Sequence, residues 1–191
     1  MGRGWRVGIL FTALAGCSSP VHLGHRIAAR ESVDSSSSLD AAVAMKPGCV
    51  IYVAKVTDVS GESGRVATTI PRDIDHSESA SWLREEILAL ARLKLPLVDG
   101  GASTPPADQP RIDFQLERAH LQHQSSSISA VLVGSAVIQG PDRNASSKHY
   151  RGRDTSMYVF GSSLEIQQSF DRALSNLTRS MVGDIAQLCR E

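Results

Sequence analysis

From Ser162 to Cys189 the chain carries one apolar stripe of helical period. Ile166, Phe170, Leu174, Leu177, Met181, Ile185 and Leu188 recur every three or four residues. Only a helix keeps that set on one side, so this segment is a long amphipathic helix. Ser162 and Glu165 at its start have capping-box spacing. Such a helix is stable chiefly through packing of its stripe, so the rest of the chain must supply an apolar surface for it to cover.

Strands supply that surface. Pro47-Gly48 is a turn signal. Cys49 to Val56 follows, apolar on both faces at its start, which predicts an interior strand. Residues 57–76 read as a polar loop. Ser77 to Leu95 reads as a helix with Trp82, Leu83, Ile87, Leu90 and Ala91 on one stripe. Asp75 and Glu78 have capping-box spacing at its start, and Pro96 stops it. Residues 96–110 are a proline- and glycine-rich loop. Arg111 to Leu121 then alternates, with Ile112, Phe114 and Leu116 on one face. The apolar phase shifts afterwards to Ala119 and Leu121, which predicts a bulge near Glu117. Ile128 to Gln139 is the next strand, 140–144 a hairpin connection, and Lys148 to Val159 the last strand. The order β-α-β-β-β-α predicts an α+β two-layer sandwich over 48–191, with a mostly antiparallel sheet and two helices on one face.

The N-terminus, MGRGWRVGILFTALAGCSSP, has a different logic. Arg3 and Arg6 precede an apolar stretch of about ten residues, too short to span a ~30 Å hydrocarbon core. This is the plan of a secretory signal peptide. It ends Leu14-Ala15-Gly16-Cys17, which resembles the lipobox of bacterial lipoproteins. That resemblance implies cleavage between Gly16 and Cys17, diacylglycerol on the Cys17 thiol and acylation of the new amino group. Two or more acyl chains hold a protein stably on a membrane. Ser18 after the cysteine implies sorting to the outer membrane, with the domain facing the periplasm. Removing 1–16 takes Arg3 and Arg6, leaving 18 basic against 20 acidic residues in a mature chain of 175. Residues 17–47 are serine-rich and lack periodicity. They read as a lipidated tether with a root-mean-square span of about 30 Å.

With Cys17 assigned to lipid, Cys49 and Cys189 remain. In an oxidising compartment they are a candidate disulfide joining the start of the core to the end of the last helix. Two independent buried thiols are the alternative.

Lipobox, tether, element order, a Tyr150-Arg151-Gly152 strand and a long C-terminal amphipathic helix together resemble the YajG family of small bacterial lipoproteins. More broadly they resemble periplasmic lipoprotein accessory domains, such as auxiliary subunits of lipid-transport ABC systems. The resemblance covers roughly 48–190 and implies an accessory role, not an enzymatic one.

The residues themselves offer little chemistry. The whole chain carries 20 Lys+Arg and 20 Asp+Glu, so it has no net field to draw nucleic acid or an anionic membrane. His22 and His25 lie in the tether, and His120 and His123 point to opposite strand faces, so no closed metal site is expected. Gly61-Glu62-Ser63-Gly64 lacks the ending of a phosphate loop, and no serine sits in Gly-x-Ser-x-Gly. Asp73, Asp75 and Glu78 suit a helix start. No cofactor and no catalytic residue is assigned, and a hydrolase is the remote alternative. Lys148, His149, Arg151 and Arg153 form a basic strand, either a charged edge that resists pairing or an anion site. Along the strand from Ile128, both faces carry apolar residues. With helices on one face only, Val131, Val133 and Val137 become a candidate surface for a partner or for self-association, unless a loop covers them. The expected role is a lipid-anchored, non-catalytic binding or assembly module whose envelope partner is unidentified. A lipid-carrying auxiliary subunit of an ABC-type system is the alternative.

Overall fold

The computed structural model describes residues 21–22, 46–60, 74–101, 105–124, 126–142, 144–157 and 162–190. Its strands are β1 (Val21–His22), β2 (Ile51–Asp58), β3 (Ile74–Asp75), β4 (Leu97–Asp99), β5 (Arg111–Gln124), β6 (Ser127–Gln139) and β7 (Ala145–Met157). Its helices are α1 (Ser79–Ala89), continued by a 3-10 turn over Leu90–Leu93, and α2 (Ser163–Gln187). The main sheet runs β4-β2-β5-β6-β7, and β1 pairs with β3 in a separate two-stranded ribbon. This is the expected α+β sandwich, with one addition. β4 falls inside the segment read as a loop. Only Leu97 of its three residues is buried, so it offers no alternation to read.

The sheet has two halves. β5, β6 and β7 form an antiparallel meander. β2 lies parallel to both β4 and β5, because α1 returns the chain to the start of β2 before β4 begins. β2 is therefore interior, and β7 is an edge. The register of β5 on β6 shifts between Leu116 and Arg118, which leaves Glu117 in a bulge. That accounts for the phase change from Leu116 to Ala119, both of which face the core.

Both helices cover one face. Ile51, Val53, Ile112, Phe114, Leu116, Ile128, Leu132, Leu83, Ile87, Ile166, Phe170, Leu174, Leu177 and Met181 are each at most 1% exposed and form one cluster. Ser162 caps α2: its hydroxyl accepts from Glu165 N, and the Glu165 carboxylate accepts from Ser162 N. Gly152 sets how close α2 lies to β7. A Cβ there would sit 1.9 Å from Ala173 O and 2.7 Å from Leu177 Cβ. Gly134 makes room in the same way for the Phe114 ring, whose Cζ would lie 2.5 Å from an added Cβ. Polar pairs flank the close approach. Lys148 and Tyr150 both donate to Asp184, Arg172 pairs with Asp154 at 3.1 Å, and Asn176 Nδ2 donates to Arg153 O at 2.9 Å. The last contact satisfies a backbone acceptor on an edge strand.

The capping box expected at α1 does not form. Asp75 Oδ1 accepts from Ser77 N instead, and the N-cap is Glu78 with no side-chain cap bond. The helix starts at Ser79, whose hydroxyl bonds to His76 O and to Asp58. It ends at Lys94, which takes the left-handed conformation (φ 65°) two residues before Pro96.

Cys49 and Cys189 are joined in a disulfide, with Cα atoms 5.8 Å apart and a separation of 140 positions in sequence. Lys46 N donates to Cys189 O beside it, so the chain enters the domain against the end of α2. Among the described residues, no helix is long and apolar enough to cross a membrane.

Candidate functional site

Strand parity sets which face of the sheet is, among the described residues, not covered by a helix. On β6 the even positions face the helices, so Ser129, Val131, Val133, Ser135 and Val137 face away. The register sets their neighbours. Val133 lies between Arg118 of β5 and Arg151 of β7, and Val131 lies between His120 and Arg153. Two transverse rows result, each with a valine flanked by cationic side chains.

The three valines differ in exposure. Val137 is 43% exposed, Val133 is half-buried, and Val131 is 0% exposed. Val131 is not part of the helix-side core cluster. Arg153, directly across from it, reaches along the face to Ser129 Oγ at 3.2 Å, so its stem runs beside the valine. The row proposed as apolar is thus open at Val137, half-buried at Val133 and closed at Val131, beside the Arg153 side chain.

Electrostatics mark the same place. His120 has its pKa lowered, first by burial and then by the Arg151 and Arg118 charges. Among the described residues, the ion pairs do not include Arg118, Arg151 or Arg153. His149 and Glu117 meet at 3.6 Å over the small Ser135. The bulge turns Glu117 to that contact. Lys148 points to the other face and belongs to the packing of α2.

A second polar cluster lies on the helix side, where β2 ends and α1 begins. The Asp58 side chain is 5% exposed. Its Oδ2 accepts from His76 Nδ1 at 2.9 Å and from Ser79 Oγ, and its Oδ1 accepts from the backbone and hydroxyl of Ser60. A carboxylate can only accept here, so Nδ1 carries the imidazole proton. Burial pushes the Asp58 carboxyl up. Hydrogen bonds from His76, Ser60 and Ser79 outweigh it and hold the pKa below the ordinary value of 3.8. The pair has the acid–imidazole geometry of a catalytic triad, yet both serines bond to the carboxylate and not to Nε2. The arrangement ties Ser60, His76 and Ser79 together and closes the excursion between them. The sequence alone gives His76 no role. The available signal was weak: Asp58-x-Ser60 is a turn pattern, and nothing local links it to a histidine 18 residues on.

His120 and His123 stand on opposite faces of β5, and no group of three or more metal-ligating side chains occurs among the described residues. A cleft of about 320 Å³ lies at the start of β5, lined by Pro105, Pro106, Ala107, Gln109, Arg111 and Gln139. The lipid-carrying alternative needs an apolar groove between sheet and helix. Among the described residues that interface is filled by Phe170, Leu174, Leu177 and Met181. Gly16, Cys17 and all of the 17–47 segment except Val21–His22 and Lys46–Pro47 lie outside the described residues, as do 158 and 159 at the end of the last expected strand. Val21–His22 is not free chain, because it pairs in parallel with Ile74–Asp75 and contacts α2.

The chain matches no protein-family model and no curated protein. Among solved structures it is similar to a Xanthomonas campestris protein of the family DUF330, at 12% identity over 76% of this chain and 88% of that one, with a TM-score of 0.56. A minor lipoprotein of Acinetobacter baumannii aligns at 12% identity over 55% of this chain and 83% of its own, TM-score 0.39. Rare lipoprotein B of Shewanella oneidensis aligns at 12% over 69% and 97%, TM-score 0.35. The last two superpose too loosely to support any conclusion. The first establishes a shared fold.

Proposed function

We propose that this chain is a lipid-anchored envelope lipoprotein that works as a non-catalytic binding module, presenting the open face of its sheet to a partner. The observation that carries the reading is Leu14-Ala15-Gly16-Cys17 behind a short basic and apolar leader. Acylation at Cys17 supplies the anchor, and the disulfide between Cys49 and Cys189 suits an oxidising compartment. Ser18 directs the protein to the outer membrane, facing the periplasm. The open face, with Val131, Val133 and Val137 along its middle strand, is where a partner or second copy would dock. Within this class the chain is YajG-like.

The intact mass of the chain extracted from bacterial membranes tests the anchor. The expected species begins at Cys17 and carries acyl groups, and Cys17→Ser abolishes both processing and membrane retention. An extracted chain that begins elsewhere, or one that lacks acyl mass, would overturn the reading.

A further inference from the structure

Net charge conceals how the charges are distributed. Lys55, Arg111, Arg118, Arg151 and Arg153 all project from the open face, by register with Asp113, Tyr52, Val133 and Val131. Among the described residues, the carboxylates on that face are Asp113 and the bulged Glu117, and Glu117 meets His149. A chain with 20 basic and 20 acidic residues therefore carries one clearly positive side. Apolar groups share it. Val137 is 43% exposed and Met157, at the far end of β7 on the same face, is 77% exposed. Exposed apolar groups among arginines that, among the described residues, form no ion pair are the signature of a surface that rests on anionic headgroups.

The ribbon of β1 and β3 sits on the helix side of the sheet, where β1 contacts α2. Asp75 of β3 precedes His76, which is bonded to Asp58. Asp58 lies opposite Leu116, and the next register pair along β5 is Arg118 with Val133. Val21 therefore lies level with the arginine rows along the strands, across the sheet from them. Cys17 lies four residues before it, a span of at most about 14 Å. The disulfide end, where β2 begins, is at the opposite end of that strand.

We infer that the open face, through the rows Arg118–Val133–Arg151 and His120–Val131–Arg153, rests on an anionic phospholipid bilayer, the one to which Cys17 anchors the chain. This rests on the lipoprotein reading for its setting, but the contact itself needs no acyl chain. The arginines bind headgroup phosphates by charge-assisted hydrogen bonds. Val137 and Met157 meet the interface.

The test uses the complete mature chain, 17–191, with Cys17→Ser so that no lipid contributes. Its retention is compared on vesicles of phosphatidylcholine alone and with about one-third phosphatidylglycerol. Each arginine near the surface contributes about fivefold. Retention on the anionic vesicles should exceed that on neutral ones and fall about a hundredfold in R118Q/R151Q/R153Q. The R118K/R151K/R153K variant should retain binding. The equally charged control R92Q/R179Q/R190Q, whose sites are exposed and away from this face, should bind like the parent. Equal retention on neutral vesicles, or an equal loss in the control, would overturn the proposal. A dimer in solution that the triple variant dissolves would assign the face to a second copy instead. Acylation of the wild-type chain is read separately by mass, so failure of vesicle binding leaves the lipoprotein reading standing.

Discussion

The two faces of β6 carry similar residues to different ends. Ile128, Ala130, Leu132, Ala136 and Ile138 pack under α2 in the common core, all at most 4% exposed. Val131, Val133 and Val137, on alternating positions, share no helix, and their exposure runs from 0% to 43%. Apolar residues on both faces of a strand thus need not mean burial on both. What covers each face decides, and here one face is covered by a helix while the other has, beside Val131, the Arg153 side chain reaching to Ser129.

The sharpest way to break this comparison is a matched pair of truncations. Leu132→Ala should lower stability by about 3 kcal/mol, because it opens a cavity in a filled core. Val133→Ala, one residue on, should cost under about 1 kcal/mol, because the site is half-buried and can relax. Urea unfolding midpoints read both, and equal losses would show that the open face is core.

Next in size is the disulfide. Cys49→Ser with Cys189→Ser should cost about 3 kcal/mol, since the bond closes nearly the whole domain. The loss should appear as a lower denaturant midpoint, matched by reduction of the wild type.

Acid sharpens the contrast between the polar cluster on the helix side and the open face. The Asp58 carboxyl is held low, as is that of Asp184, where the hydrogen bond from Lys148 leads and Tyr150 assists. A depressed carboxyl stabilises the fold above its unfolded value near 3.8 and loses that contribution as pH falls through the folded value. The wild type should therefore weaken as pH falls below about 4, towards the lowered value of Asp58. Asp58→Asn should cost about 1–2 kcal/mol at neutral pH and show a shallower acid slope. Identical slopes would mean that the cluster does not hold the β2–α1 junction.

The smallest effect is a titration. Arg151→Gln removes one of the charges that lower the His120 pKa. Proton NMR should find the His120 pKa raised towards the ordinary 6.5, though still depressed by burial. An unchanged value would separate His120 from the arginine rows.

How much of this was legible in the sequence depends on range. The long helix, its capping box, the interior position of β2 and the bulge at Glu117 are written in local spacing, and the structure has them all. β4 has only three residues, so its pairing with β2 is decided by α1 and not by its own pattern. The α1 cap was misread because Asp75 is used in a turn, while the helix is pinned by Asp58 from another strand. Val131 looked like exposed surface because parity predicts direction but not cover. The positive face was hidden because a whole-chain sum cancels charges that the sheet separates. Arg118, Arg151 and Arg153 meet only through register, which no local motif records.

The most direct test of the division between the faces is arginine-specific modification of the acylated chain in anionic vesicles, read by peptide mass. Arg118, Arg151 and Arg153 should be protected relative to the chain in neutral detergent, while Arg92, Arg179 and Arg190 react equally in both. Equal reactivity of all six in vesicles and detergent would contradict the account.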